Sequence, residues 1–115
     1  MSEDRNVKLP KKTCTIEKLV TIPADVEKVL SGKKTQTRRN GRYADIGETM
    51  WLDEQEFVVH SIYKQKLGEL SDEDAKQEGY ANLEDYKNAI LSIHPNMPWV
   101  PQMQVCVHEY KRVNE

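Results

Sequence analysis

One decapeptide stands apart from the rest of this 115-residue sequence in its charge and composition. It reads Leu30-Ser31-Gly32-Lys33-Lys34-Thr35-Gln36-Thr37-Arg38-Arg39. The two threonines favour a strand because β-branched residues fit a pleated sheet well. In a strand over 34–39, alternate side chains point to opposite sides of the sheet. One predicted side then carries Lys34, Gln36 and Arg38, and the other carries Thr35, Thr37 and Arg39.

Two interpretations of this cationic stretch stay open on composition alone. Cations along an exposed edge strand protect it from pairing with other chains. The same cations can instead form a site for a phosphate or a polar base, with the threonine hydroxyls adding directional hydrogen bonds. The whole sequence has 17 basic and 19 acidic residues, a net charge of −2. This balance disfavours a globally cationic nucleic-acid binder but permits a local cationic site.

The length of the sequence predicts a single domain over residues 13–115, preceded by a polar N-terminal leader over residues 1–12. Cys14 and Cys106 are too few for a disulfide framework and lack metal-ligand spacing. The sequence has no apolar run of membrane-spanning length and no signal-peptide pattern. We therefore expect a cytoplasmic protein that contacts no membrane.

The pattern of apolar residues predicts strands that outnumber the helices. We expect strands over 14–20, 34–39, 49–52, 57–63 and 102–113. Helices are predicted over 24–31, 72–78 and from Leu83 to Ile93, with Gly32 and Gly79 ending the first two and Asn82 capping the third. Because the strands lack regular alternation with helices, the predicted fold class is α+β, a small mixed β-barrel with about three helices packed outside it.

Two of these elements carry predictions about which side chains are buried. In the strand over 57–63, Phe57, Val59 and Tyr63 share one predicted face, and Val58 and Ile62 share the other. The third helix presents an apolar stripe that is predicted to lie in the core. The stripe consists of Leu83, Tyr86, Ile90 and Ile93.

The decapeptide resembles the signature G-x-K-T-x-T-x-R of the ASCH domain family. These domains are β-barrels related to the PUA RNA-binding fold. Ile46-Gly47-Glu48 resembles the family's entry to the next strand, and residues 70–95 resemble the paired helices that follow. The resemblance extends over residues 24–112, and it implies a PUA-like barrel.

Within that family the sequence is most similar to small bacterial N(4)-acetylcytidine amidohydrolases. The resemblance implies that Lys34, Thr37 and Glu78 are catalytic and that Arg39 is the motif arginine. Arg38 departs from the family pattern, which often has an apolar residue there. The implied activity is hydrolysis of the acyl amide of N(4)-acetylcytidine or a related N-acylated cytosine nucleoside.

These residue types suit the hydrolysis of an amide. The Thr37 hydroxyl can be the nucleophile if Lys34, partly desolvated among cations, takes its proton. Glu78 can then carry a proton to the leaving amine. In the alternative route, water attacks with the help of Glu78 and Thr37 only positions the acyl group. Arg39 can polarise the acyl oxygen or hold the base.

Further residues are predicted to contact the substrate. They are Lys33, Thr35, Arg38, Arg39 and Trp99, the last either stacking on a nucleobase or covering the core. His60, His94 and His108 lack metal-ligand spacing, and the sequence has no P-loop or dinucleotide motif, so we expect no metal and no organic cofactor. The expected partner is a small nucleoside-like substrate or RNA. Two other functions remain open, a PUA-like RNA-binding module without catalysis and a ribonuclease.

Overall fold

A four-stranded antiparallel sheet organises the computed structural model, which describes residues 11–96 and 98–113. Its strands are β1 (Gln36–Arg39), β2 (Thr49–Leu52), β3 (Gln55–Lys66) and β4 (Gln104–Arg112), arranged in the order β1-β4-β3-β2. The sheet curls into half a barrel. Most of the predicted leader, residues 1–10, lies outside the described residues.

Three α-helices and two short 3₁₀ helices surround the sheet. The α-helices are α1 (Pro23–Leu30), α2 (Asp72–Gln77) and α3 (Leu83–Ile93), and the 3₁₀ helices are Ile16–Lys18 and Leu67–Glu69. This architecture confirms the predicted α+β fold class with about three helices packed outside the sheet, and the predicted small mixed β-barrel is an antiparallel half-barrel. Among the described residues, none of the helices is both long and apolar enough to cross a bilayer.

Two hydrophobic clusters form the core, one on each side of the sheet. The first lies beneath α1 and the first 3₁₀ helix, and it contains Ile16, Leu19, Val20, Val29, Ala44, Met50, Phe57, Val59, Ile62 and Tyr110. The second lies between the sheet and the helices α2 and α3, and it contains Leu67, Leu70, Ala75, Tyr86 and Val105. Neighbouring residues of β4 point to opposite sides, so this strand contributes to both clusters.

Local sequence signals predicted the helix boundaries well. Pro23 occupies the first turn of α1, and Gly32 follows that helix with a φ of +84°. Ser71 caps α2 in a capping box with Asp74. Asn82 caps α3 by accepting a hydrogen bond from the Asp85 amide at 2.9 Å.

The prediction of a strand over 14–20 was wrong. This segment instead contains the 3₁₀ helix Ile16–Lys18. Ile16, Leu19 and Val20 are all buried in the first cluster. Their spacing of three and four residues brings them to one side of a helical turn, so core packing overrode the β-branched composition.

The predicted faces of the long central strand were also wrong beyond its middle. The register of β3 against β4 shifts between Val59 and Ser61, which is a β-bulge. The extra residue reverses the alternation. As a result Ile62 joins Phe57 and Val59 in the first cluster, and odd-numbered residues beyond the bulge face α2 and α3.

The third helix buries less of its apolar stripe than predicted. Tyr86 is buried, and Leu83 and Ile90 pack partly against the second cluster. Ile93, however, is 52% exposed. Ser92 and His94 are exposed beside it, because the last turn of α3 projects beyond the cluster.

Candidate active site

Strand β1 divides the motif residues between the two sides of the sheet. It is an edge strand that pairs with β4, and its register places Thr37 opposite His108 and Arg38 opposite Val107. Thr37 therefore faces the first cluster, whereas Arg38 faces the helices α2 and α3. Lys34 precedes the strand and reaches Glu78 at the end of α2, which Arg38 also contacts. The predicted placement on opposite sides of the sheet therefore holds for Thr37 and Arg38.

The side facing α2 holds an ion pair between two of the predicted catalytic residues. Lys34 Nζ donates to Glu78 Oε1 at 2.5 Å and also lies 3.3 Å from the Glu78 carbonyl oxygen. The two residues are only 4% and 3% exposed. They are 44 positions apart in the sequence. Folding thus brings together the lysine of the motif and the glutamate at the end of α2.

Arg38 completes this group. Its Nη1 donates to Glu78 Oε2 at 3.0 Å, and its Nε donates to Gln65 Oε1 at 2.8 Å. Its Nη2 lies 3.2 Å from Asp74 Oδ1, within ion-pair distance but poorly aligned for a hydrogen bond. Lys34, Arg38, Asp74 and Glu78 are hereafter called the ionic cluster. Two cations and two carboxylates balance in charge, which is what a buried ionic group requires.

The local structure of α2 positions the acidic half of the ionic cluster. Asp74 sits at the third position of the helix, where its carboxylate accepts from the Ser71 amide at 3.0 Å. Glu78 is the residue that ends the helix, and Gly79 follows with a φ of +93°. A left-handed glycine after the last turn lets the chain leave the helix directly. The Glu78 side chain therefore stays turned toward β1.

The opposite side of β1 carries a network without carboxylates. Thr37 Oγ1 and the Tyr110 hydroxyl are 2.7 Å apart. His108 is fully buried beside them, with its Nδ1 3.1 Å from the Thr37 carbonyl oxygen. Thr37, His108 and Tyr110 are hereafter called the hydroxyl cluster. No hydrogen bond joins Thr37 to Lys34 or Glu78 in the described part of the chain.

The protonation of the hydroxyl cluster follows from its partners. The Tyr43 amide donates to His108 Nε2 at 3.1 Å, so this nitrogen is the acceptor and Nδ1 carries the hydrogen. Burial lowers the pKa of His108 below its ordinary value. Burial likewise raises the pKa of the Tyr110 phenol. Both groups are therefore neutral at pH 7.

A cavity of about 400 Å³ opens beside the ionic cluster, between β1 and α3. This volume falls within the range of small-molecule sites. Its polar lining residues are Arg38, Arg39, Asn40, Tyr43 and His94, and its apolar lining residues are Leu67, Tyr86, Ile90, Trp99, Met103 and Val105. We call it the large cavity. No aspartate or glutamate is among the described residues that line it.

A second, smaller cavity has a volume of about 260 Å³. Lys34 and Thr35 line it, together with residues of α1, β3 and β4. Arg38 lines the large cavity and Lys34 the small one, while both bind Glu78. The carboxylate of Glu78 thus connects one residue of each cavity.

The structure distributes the predicted substrate-binding residues among several environments. Arg38, Arg39 and Trp99 line the large cavity. Thr35 departs from the predicted side, since its hydroxyl donates to Gln77 Oε1 of α2 at 2.5 Å. Lys33 is exposed and lines neither cavity.

The position of Trp99 is compatible with both roles considered for it. It packs against the second cluster, with its ring at 81° to that of Tyr86 and the ring centroids 6.5 Å apart. Lys87 Nζ lies 5.3 Å from the Trp99 ring centroid. The ring also forms part of the wall of the large cavity. It therefore covers core residues and remains available for a ligand.

Sequence reasoning missed several residues of this region. Gln65 and Asp74 hold Arg38, and Tyr110 holds Thr37. Asp74 was recognised only as part of a helix cap, and nothing in the sequence marked Gln65 or Tyr110. Among residues 11–96 and 98–113, no group of three or more His, Cys, Asp or Glu side chains could hold a metal ion.

Comparison with known proteins identifies the fold. No protein-family model and no curated protein matches this chain. An ASCH domain from Lactobacillus crispatus JV V101 superposes with a TM-score of 0.66 at 13% identity, over 78% of this chain and 70% of that one. A protein of the DUF984 family from Enterococcus faecalis V583 superposes with a TM-score of 0.56 at 17% identity, over 76% of this chain and 66% of that one. The chain therefore has the PUA-like fold of ASCH domains.

Proposed function

We propose that this protein is an amidohydrolase that removes the acyl group from an N(4)-acylated cytosine nucleoside such as N(4)-acetylcytidine. One water molecule is consumed, and the bond between N4 and the acyl carbon breaks. The acyl carbon takes the hydroxyl of the water and leaves as a carboxylic acid, and N4 takes the other proton of the water to become the free amine. The ASCH-like fold and the motif residues support this assignment. The base would lie in the large cavity, whose volume of about 400 Å³ suits a ligand of this size.

The observation that carries the proposal is the buried contact between Lys34 and Glu78. At 2.5 Å, the proton of Lys34 is within direct transfer distance of Glu78 Oε1. Transfer leaves a neutral amine, which can act as a base, and a carboxylic acid, which can protonate the leaving amine. One pair can thereby supply both proton steps. Arg38, which lines the large cavity and binds Glu78, supplies positive charge for the developing oxyanion.

The two routes considered for the attack on the acyl carbon make different demands on Thr37. As a nucleophile, Thr37 has to release Tyr110 and approach the ionic cluster from the opposite side of β1. Attack by water needs no such rearrangement. The geometry therefore supports the water route better.

The test is the hydrolysis of N(4)-acetylcytidine, followed by the absorbance of the cytosine ring. We expect Lys34→Ala and Glu78→Gln each to lower kcat/KM by about a hundredfold or more, the usual effect of losing acid–base catalysis. Lys76→Ala and Glu73→Gln are matched controls, because both residues are exposed on α2. Circular dichroism verifies that each variant folds. Absence of turnover by micromolar native protein would contradict the proposal.

Thr37 variants distinguish the two routes. If water attacks, Thr37→Val retains most of the activity. If Thr37 is the nucleophile, Thr37→Val is as inactive as Lys34→Ala, and Thr37→Ser recovers activity. Rapid quenching then detects an acyl group on the protein.

RNA binding without catalysis is the second candidate function. It is favoured by the PUA-like fold and by the cations of the large cavity, which no carboxylate lines in the described chain. Titration with a labelled single-stranded oligonucleotide at several salt concentrations tests it. Binding that weakens steeply with salt, combined with no turnover of N(4)-acetylcytidine, would support this alternative. Undetectable binding at low salt would eliminate it.

A further inference from the structure

The charge of the large cavity is one-sided. Among the described residues, the side chains that line it include two arginines and one histidine but no carboxylate. A neutral nucleoside needs no cation that lacks a counter-ion. Whether each arginine has a counter-ion therefore bears on which form of the ligand the cavity accepts.

The two arginines differ in how they are neutralised. Arg38 is held by Glu78 and Asp74, so its charge is already balanced. Arg39 has no carboxylate within ion-pair distance in residues 11–96 and 98–113. Its Nη2 donates to the Leu19 carbonyl oxygen at 2.5 Å, and its guanidinium carbon lies 5.6 Å from the centroid of the Tyr43 ring. A carbonyl and an aromatic ring leave its full positive charge uncompensated.

The Arg39 guanidinium is only partly used. Among the described residues, only its Nη2 has a hydrogen-bond acceptor. Its Nε is enclosed without an acceptor, so a ligand in the cavity would reach the rest of the guanidinium rather than this atom. Asn40, the next residue along the chain, is exposed at the same cavity and adds further donors. The donors and the charge together suit an anion with several oxygens.

The apolar lining of the cavity suits a planar ring. Tyr86, Trp99 and Met103 contribute aromatic and thioether surface to the cavity. Aromatic side chains stack on nucleobases with little dependence on sequence. A ligand that uses both the cationic and the aromatic lining carries an aromatic base and an anionic group.

From these observations we infer that the large cavity binds a nucleoside monophosphate, with its phosphate on Arg39 and its base against Trp99. The identity of the base as cytosine rests on the proposed function. The phosphate assignment does not, because it depends only on Arg39 and its surroundings. The natural substrate would then be an acylated nucleotide rather than the free nucleoside.

Binding of cytidine 5′-monophosphate and of cytidine, followed by Trp99 fluorescence, tests this inference. The measurement uses Trp51→Phe protein, because Trp51 is 64% exposed and does not line the cavity. We expect the monophosphate to bind at least about tenfold more tightly than cytidine, the effect of one charge-assisted contact. Arg39→Gln removes this difference, Arg39→Lys retains part of it, and Lys18→Gln, which replaces an exposed cation near Leu19, leaves it unchanged.

A second measurement covers the case in which Arg39→Gln does not fold. Inorganic phosphate at millimolar concentration should displace the monophosphate from the protein and leave cytidine binding unaffected. Equal affinities for the two ligands, or no binding of either, would overturn the inference. Turnover of N(4)-acetylcytidine without a preference for the monophosphate overturns the inference alone. Preference for the monophosphate without turnover overturns the proposed hydrolysis alone.

Discussion

The two sides of β1 bury polar groups in different ways. The ionic cluster joins Lys34 and Arg38 to the carboxylates of α2, and Gln65 of β3 holds Arg38 from a third direction. The hydroxyl cluster joins Thr37 to residues of β4 and contains neutral groups. The ionic cluster is a balance of charges among three parts of the chain. The hydroxyl cluster is a set of neutral hydrogen bonds between two neighbouring strands.

This difference determines how each side tolerates the loss of a partner. A buried charge whose partner is removed has neither solvent nor a counter-ion, so a single substitution is expensive. Removing one partner of a buried hydroxyl pair costs much less free energy of unfolding, and replacing both hydroxyls by apolar groups of the same shape is nearly neutral. The stability of the protein should therefore depend mainly on the ionic side.

The largest effect is expected from removing the carboxylate that two cations share. Glu78→Ala leaves Lys34 and Arg38 buried with only Asp74 nearby, so we expect a loss of about 3–5 kcal/mol in the free energy of unfolding. Urea denaturation measures it. The control, Glu73→Ala on the exposed side of α2, should change stability by less than about 0.5 kcal/mol. A small loss at Glu78 would mean that water reaches the ionic cluster.

A smaller effect is expected on the hydroxyl side. Thr37→Val leaves the Tyr110 hydroxyl buried without its partner, which should cost about 1–3 kcal/mol of unfolding free energy. Adding Tyr110→Phe should recover much of this loss, because no unpaired hydroxyl then remains. Urea denaturation of the two single variants and the double variant completes a mutant cycle. Additive losses would show that the two hydroxyls do not depend on each other.

The turn that ends α2 should contribute about as much to the free energy of unfolding as one helix cap. Gly79 has a φ of +93°, a conformation that side chains with a Cβ adopt poorly. Gly79→Ala should therefore lower the unfolding free energy by about 1 kcal/mol. Its added Cβ would lie 2.8 Å from Lys28 Cδ, the flexible part of a side chain that can move aside. Gly32→Ala is the matched control for the φ effect alone, since it meets no such neighbour.

The smallest expected change is in the dependence of stability on pH. Burial lowers the pKa of His108 in the folded protein below its ordinary value of 6.5. The unfolded chain therefore binds the proton first, and the contribution of neutral His108 is complete above pH 6.5 and declines as the pH falls below it. His108→Gln should flatten the decline between pH 7 and 5.5 in urea denaturation. His60→Gln, at an exposed position, should leave the decline unchanged.

Much of the framework was predictable because its signals are local. The capping box of Ser71 and Asp74, the cap at Asn82 and the glycines after two helices depend on residues within a few positions. Alternation along β1 correctly separated Arg38 from Thr37. The motif also indicated that Lys34 and Glu78 belong together, through resemblance rather than through spacing.

Other features depend on contacts that no local pattern contains. The segment over 14–20 became a 3₁₀ helix because Ile16, Leu19 and Val20 pack into one cluster. The large cavity is assembled from β1, α3 and the segment around Trp99, whose side chains are distant in the sequence. The uncompensated charge of Arg39 is visible only when the position of every described carboxylate is known.

The sequence by itself determined which residues are polar, where the helices are capped and that Thr37 and Arg38 lie on opposite sides of β1, since these follow from composition and from the period of a strand. The tertiary structure decided which of these residues meet. The β-bulge between Val59 and Ser61 turns Gln65 toward Arg38, and helix α2 carries Glu78 to Lys34. These contacts depend on how whole elements pack, because a single extra residue in a strand reverses every side chain beyond it.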